Sequence, residues 1–125
     1  MFKPVQTANE AIGVLTKHPQ MMRLLLDTAH LQIAGENPIE VIAKHSRNLA
    51  AVHLKDWTAE FGRSYQFYSR GFVELGKGDV PIDNIVKMLQ RQRYVGWLVV
   101  EQDTAALPLI SATKSRDWLR NNIGI

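Results

Sequence analysis

Two hydrophobic rhythms alternate along the chain. Short continuous apolar runs occur at 21–27 ("MMRLLLD"), 49–56 ("LAAVHLKD") and 97–103 ("WLVVEQD"), and runs of this length read as buried strands. Between them the apolar positions take a helical spacing. "TANEAIGVLTKH" starts with Thr7 as N-cap and Glu10 three residues on, a capping-box spacing, followed by Ile12, Val14 and Leu15. Pro38 opens a second helix through "IEVIAKHSR", whose apolar side carries Ile39, Val41 and Ile42. "PIDNIVKMLQRQR" predicts a third helix, and the region from about Ser111 to Asn122 a fourth. The stretch "RLLLDTAHLQIAGENP" at 23–38 reads as a strand running into a turn at Gly35. From Trp57 to about Gly78 lies a polar, aromatic segment with Gly62, Gly71, Gly76 and Gly78. It is too long for an ordinary connection and reads as a functional loop.

The order αβαβαβα implies an α/β fold: parallel strands joined by right-handed helical crossovers, one domain over residues 1–125. Residues two apart on a strand share a face. Arg23, Leu25 and Asp27 therefore line one side of the first strand; Leu49, Ala51, His53 and Lys55 line one side of the second; Trp97, Val99 and Glu101 line one side of the third. Each strand ends in a potential ligand, and in parallel α/β folds the carboxyl ends of all strands lie at one edge of the sheet, where ligands bind. Asp27, His53 and Glu101 are thus placed to converge.

Composition narrows that chemistry. The 125 residues, 46% hydrophobic and 22% charged, suit one globular domain. No apolar run approaches the roughly 20 residues that span a bilayer, and the start lacks a signal-peptide layout, so no membrane partner and a cytoplasmic location are expected. With no cysteine, a metal has only carboxylate, imidazole, carbonyl or water ligands. Two carboxylates and one imidazole suit Mn²⁺, Mg²⁺, Co²⁺ or Zn²⁺. The net charge of +3 is spread along the chain, and its densest stretch, "QRQRYVGW", has two arginines, so no nucleic-acid partner is expected.

Each candidate also has a plain structural reading. Asp27 alone would cap the turn after its strand, and His53 alone would be a hydrogen-bonded core histidine. Glu101, after "WLVV", would carry a desolvation cost unless compensated, and a salt bridge to Lys55 would compensate it. Lys55 itself either holds a substrate oxygen or pairs with Glu101. His30 is a substrate contact or a turn-stabilising residue; Arg63 and Arg70 are anionic-substrate contacts or solvated loop charges; Trp57 walls the pocket or packs under the loop. Gly76 and Gly78 permit a tight turn near the site. The coincidence of Asp27, His53 and Glu101 at equivalent strand ends is what raises the metal reading above its parts.

The ordered set "LLLDTAHLQIAGENPIEVIAKHSRNLAAVHLKD", "ELGKGDVPIDNIV" and "WLVVEQD" resembles the carboxyl-terminal part of the sugar phosphate isomerase/epimerase superfamily, the xylose-isomerase-like TIM barrels, in the inosose dehydratase and sugar epimerase branch. The resemblance runs over nearly the whole chain. It implies strands six to eight of a (β/α)8 barrel, with Asp27, His53 and Glu101 matching three of four metal ligands and His30 a substrate-contacting histidine. It further implies that Glu101 is one of two glutamates that move a proton beside a metal-polarised carbonyl of a sugar or cyclitol, as an isomerase, epimerase or dehydratase. Endonuclease-IV-like hydrolysis on a related barrel is disfavoured, because further metal-binding histidines would be expected.

A full barrel takes about 250 residues. The strand that would supply the fourth ligand and second glutamate is missing here, so the isolated chain is expected to be weak or inactive. Leu25, Ala51 and Val99 would face solvent and two strand edges would be unpaired. Self-association or a partner carrying the remaining strands is expected to cover them; rearrangement into a small open sheet is the third route. The alternative to an enzyme is a non-catalytic half-barrel acting as an interaction or structural module.

Overall fold

The computed structural model describes residues 7–18, 20–62 and 69–125. Helix α1 (Ala8–Leu15) starts at the expected capping box: Thr7 accepts from the Glu10 N–H and Glu10 accepts from the Thr7 N–H. The Glu36 carboxylate also accepts from the Ala8 N–H, 3.1 Å away, tying this helix to the turn before α3. Strand β1 (Leu24–Asp27) follows, then α2 (Thr28–Ile33), then α3 (Pro38–His45), where Asn37 caps the Ile39 and Glu40 N–H groups. Strand β2 spans Leu49–Leu54, α5 spans Ile82–Arg91, β5 spans Trp97–Val100 and α6 spans Pro108–Asn122. Between β2 and α5 lie β3 (Asp56–Trp57), α4 (Ala59–Gly62) and β4 (Phe72–Val73).

Strands β1, β2 and β5 form a parallel sheet in that spatial order. Leu25 is paired with Ala51, Asp27 with His53, Ala51 with Trp97 and His53 with Val99. From Ala51 onward period-two alternation divides the sheet as the sequence predicts; Leu49, expected on the side of Ala51 and His53, is instead buried, because the pairing shifts register between Leu24 and Leu25 and sets Ala50 out of the alternation. Leu24, Leu26, Val52 and Leu54 are buried and join one core with Ile42, Ile85, Val86 and Leu89 from the helices. On the opposite face Leu25 is 53% exposed, Val99 39% and Trp97 78%. One face is packed; the other is open.

Three segments differ from expectation. The stretch after β1 is a helix, not a turn, because Asp27 serves as its N-cap: Oδ1 accepts from the His30 N–H at 2.9 Å. The long segment from Trp57 is partly ordered by an antiparallel ribbon in which β3 pairs with β4. The last helix also begins earlier than Ser111, at Pro108, where a proline is favoured at the first turn.

The ribbon is held by Asp56. This fully buried carboxylate accepts from four backbone N–H groups, those of Trp57 (2.8 Å), Gly76 (2.9 Å), Gly78 (3.0 Å) and Val80 (3.1 Å). Burial pushes the Asp56 carboxyl above the ordinary aspartate range, against the pull of those donors. The paired glycines thus form an anion-binding nest for a carboxylate of the same chain. Gly76 has φ +81°, and a Cβ there would strike the Trp118 indole; a Cβ on Gly78 would lie 2.3 Å from Asp56 Oδ1. Trp57 packs beneath the segment, so close to Gly62 and Gly71 that a Cβ on either would lie 2.4 Å from its indole nitrogen.

Candidate metal centre

The site is assembled at the carboxyl ends of β1, β2 and β5. Thr28, immediately after Asp27, is fully buried; its hydroxyl donates to the Lys55 carbonyl (2.7 Å) and accepts from the Lys55 N–H (3.0 Å). That clamp joins the ends of β1 and β2 and brings Asp27 beside His53. Beyond β5 the Glu101 N–H donates to the Leu54 carbonyl at 3.1 Å, extending the parallel ladder by one residue and fixing the backbone from which Glu101 projects. Asp27, His53 and Glu101 each present one ligand atom, all within 4.8 Å of one another and all from half-buried side chains.

Lys55 lies in the middle of the acidic groups. It is 1% exposed, with Nζ 2.8 Å from Glu101 Oε1, 2.8 Å from Asp103 Oδ2 and 3.4 Å from Asp27 Oδ2. The Phe72 ring centroid is 4.8 Å from the same nitrogen, a cation–π contact supplied by the ribbon. Burial pulls the Lys55 ammonium down, but hydrogen bonds to Asp103 and Glu101 and the charges of Asp27 and Glu101 outweigh it and leave it above the ordinary lysine value. The hydrogen bond from Lys55 in turn holds the Asp103 carboxyl below the ordinary aspartate range.

The sequence-predicted residues separate into those brought together and those that are not. Asp27, His53, Glu101 and Lys55 converge. Asp27 caps a helix and joins the cluster at once, with Oδ1 on the His30 N–H and Oδ2 toward Lys55. His30 is exposed at the rim, its ring edge-on to Phe72 at 5.6 Å between centroids. Arg70 is exposed two residues before Phe72, and Arg63 lies outside the described residues. Asp103, Thr28, Phe72 and Asp56 carry parts of the arrangement that strand parity did not assign. Thr28 and Asp56 stand next to predicted site residues in "LDT" and "LKD", which is the one local signal for them.

The donor set fits a divalent cation. Glu101 Oε2 is buried without a hydrogen bond and faces Nδ1 of His53, so a carboxylate oxygen and an imidazole nitrogen are directed at the same space. First-row ions take such ligands at about 2.0–2.2 Å.

The family of xylose isomerase-like TIM barrels matches residues 1–122. The chain belongs to that family. Two inosose dehydratases are similar to it: that of Clostridium botulinum (strain Eklund 17B / Type B) is 30% identical over 97% of this chain and 45% of its own length, and that of Geobacillus thermodenitrificans is 33% identical over the same shares. This xylose isomerase-like chain therefore spans about half the length of the curated relatives it matches. Among solved structures, the 3-keto-D-glucoside 4-epimerase of E. coli aligns with TM-score 0.72 and 20% identity over 94% of this chain and 40% of that one. The IOLI protein, crystallised with a zinc atom, aligns with TM-score 0.71 and 16% identity over 94% and 43%. At these identities the structural matches establish the fold. Among the described residues no helix is long and apolar enough to cross a membrane.

Proposed function

We propose that the chain is the metal-binding, carboxyl-terminal portion, about strands six to eight, of a sugar or cyclitol isomerase, epimerase or dehydratase. The observation that carries this reading is the convergence of Asp27, His53 and Glu101 at the ends of three adjacent parallel strands. The names of similar proteins, inosose dehydratases and a sugar epimerase, point to the same substrate class, and the zinc in the IOLI protein to the same kind of cofactor. Mn²⁺, Mg²⁺, Co²⁺ and Zn²⁺ all suit the ligand set.

Asp27, His53 and Glu101 hold the cation. When bound, it supplies a Lewis acid that polarises a carbonyl oxygen and stabilises the negative charge left when the adjacent carbon loses a proton. Glu101 is the general base that takes this proton; in the metal-free chain Lys55, 2.8 Å from its Oε1, orients that carboxylate. Lys55 acts through Glu101 in this reading, since its own ammonium is buried among carboxylates. His30, edge-on to the Phe72 ring that covers Lys55, is exposed where a polyhydroxylated substrate would reach it, and Arg63 and Arg70 are assigned contacts with an anionic substrate. Proton abstraction next to a carbonyl is the first step shared by epimerisation, isomerisation and loss of water, so the residues of this chain serve any of the three.

The open face of Leu25, Trp97 and Val99 and the two edges of the sheet, which pair with no further strand among the described residues, suit completion by the remaining strands, contributed by another segment or by further copies of the chain. A second glutamate for the return of the proton belongs to that complement. The isolated chain should accordingly show little turnover, yet Glu101 suffices for slow proton exchange. Incubating the chain with Mn²⁺ and an inosose or keto-sugar in D2O should give metal-dependent deuterium incorporation beside the carbonyl, seen by NMR and absent in Glu101→Gln. Addition of a related amino-terminal barrel half should raise turnover. Neither exchange nor metal binding in the parent chain would favour the non-catalytic half-barrel.

A further inference from the structure

The Lys55 ammonium makes a metal reading harder as well as easier. It binds two of the three ligand residues, at 2.8 Å from Glu101 Oε1 and 3.4 Å from Asp27 Oδ2, and a divalent cation must share those carboxylates with it. An ammonium and a dication so close repel each other. Nor does Lys55 have an easy exit: it is 1% exposed, and the Phe72 ring covers it on one side. Its charge has to be neutralised where it stands.

Asp103 is placed to do this. Its Oδ2 lies 2.8 Å from Lys55 Nζ, and it is not one of the residues whose ligand atoms converge. Among these groups, Asp27, Glu101 and Asp103 carry three negative charges and Lys55 one positive charge, which leaves two negative charges for one divalent ion beside a neutral His53. Without Asp103 these groups of the chain by itself would carry a net positive charge once loaded, and Lys55 would compete for Glu101 and Asp27. Resting on the metal site proposed above, we infer that Asp103 is a positioning residue: its carboxylate retains Lys55 so that Asp27 and Glu101 are released to a divalent cation.

The test is a double-variant cycle read by calorimetric titration of the full chain with Zn²⁺ alone. Asp103→Asn should weaken binding about 10–100-fold, the usual cost of losing a group that supports a ligand without touching the metal. In a Lys55→Met background the same substitution should change affinity by less than about twofold, because the group it restrains is gone. Should the double variant not fold, Asp103→Glu decides, since keeping the carboxylate should keep affinity within about threefold of the parent chain. Undiminished binding by Asp103→Asn, an equal loss in both backgrounds, or failure of Asp103→Glu to rescue would overturn the inference while leaving the metal site standing. A parent chain that binds no Zn²⁺ would overturn both.

Discussion

The two faces of the three-stranded sheet are built from the same strands and do opposite work. On one, Leu24, Leu26, Val52 and Leu54 are buried against the helices; on the other, Leu25, Trp97 and Val99 are exposed, and the face ends in Asp27, His53 and Glu101. The buried face supplies apolar area removed from water, the dominant favourable contribution to folding. The open face holds polar groups whose mutual arrangement the backbone ladder fixes but which bury little. Stability and chemistry are thereby separated by one residue's step along each strand, and a change on one face should be read out in a different measurement from a change on the other.

The largest expected effect lies on the packed face. Leu54→Ala should lower unfolding free energy by about 2–5 kcal/mol, the range for a cavity left by a buried leucine, whereas Leu25→Ala on the open face should stay within about 0.5 kcal/mol. Urea titration of both variants measures the contrast. An equal cost for Leu25→Ala would break it and show the open face to be covered in solution, which dilution of the sample would then reverse if the cover is a second copy.

Next in size is Asp56→Ala, which strips the acceptor from the backbone N–H groups of Trp57, Gly76, Gly78 and Val80. Each buried donor left unsatisfied costs about 1–3 kcal/mol before relaxation or water entry, so a loss of at least about 2 kcal/mol is expected in thermal or urea unfolding. Unchanged unfolding would mean that the ribbon contributes nothing to the cooperative unit. His53→Ala should behave in the reverse manner: divalent-metal affinity falls about tenfold or more, while unfolding of the metal-free chain shifts by less than about 1 kcal/mol. A variant that binds Zn²⁺ as well as the parent chain would remove His53 from the site.

The smallest effect is a pH dependence. The Asp103 carboxyl is held below its ordinary value by Lys55, so the folded state binds its proton less readily than the unfolded chain does. The stability this contributes is present above the unfolded value of about 3.9 and is lost as pH falls through the lowered folded value. Asp103→Asn should therefore flatten the acid limb of a stability–pH curve below about pH 4 and leave its shape near neutrality unchanged. An acid limb identical to that of the parent chain would show the Lys55–Asp103 pair to be absent in solution.

Local pattern determined much of this molecule from its sequence. Apolar runs and their parity placed the strands and told the packed face from the open one; the Thr7–Glu10 spacing and Pro38 placed two helix starts; and the succession of helices and strands made the sheet parallel. Because residues two apart on a strand point the same way whatever the fold, Asp27, His53 and Glu101 could be assigned to one face and one edge before any distance was known. Tertiary structure decided the rest, and the reason is sequence separation. Asp56 meets Gly76, Gly78 and Val80 across 20 to 24 residues, so nothing local named the carboxylate around which the glycine pair turns. Lys55 meets Glu101 and Asp103 across 46 and 48 residues, so the choice between holding a substrate oxygen and pairing with Glu101 awaited the fold. Helix α2 required Asp27 to spend one oxygen as a cap while keeping the other toward the cluster. Periodicity reports which face a side chain takes; only the folded chain sets which charge it meets there.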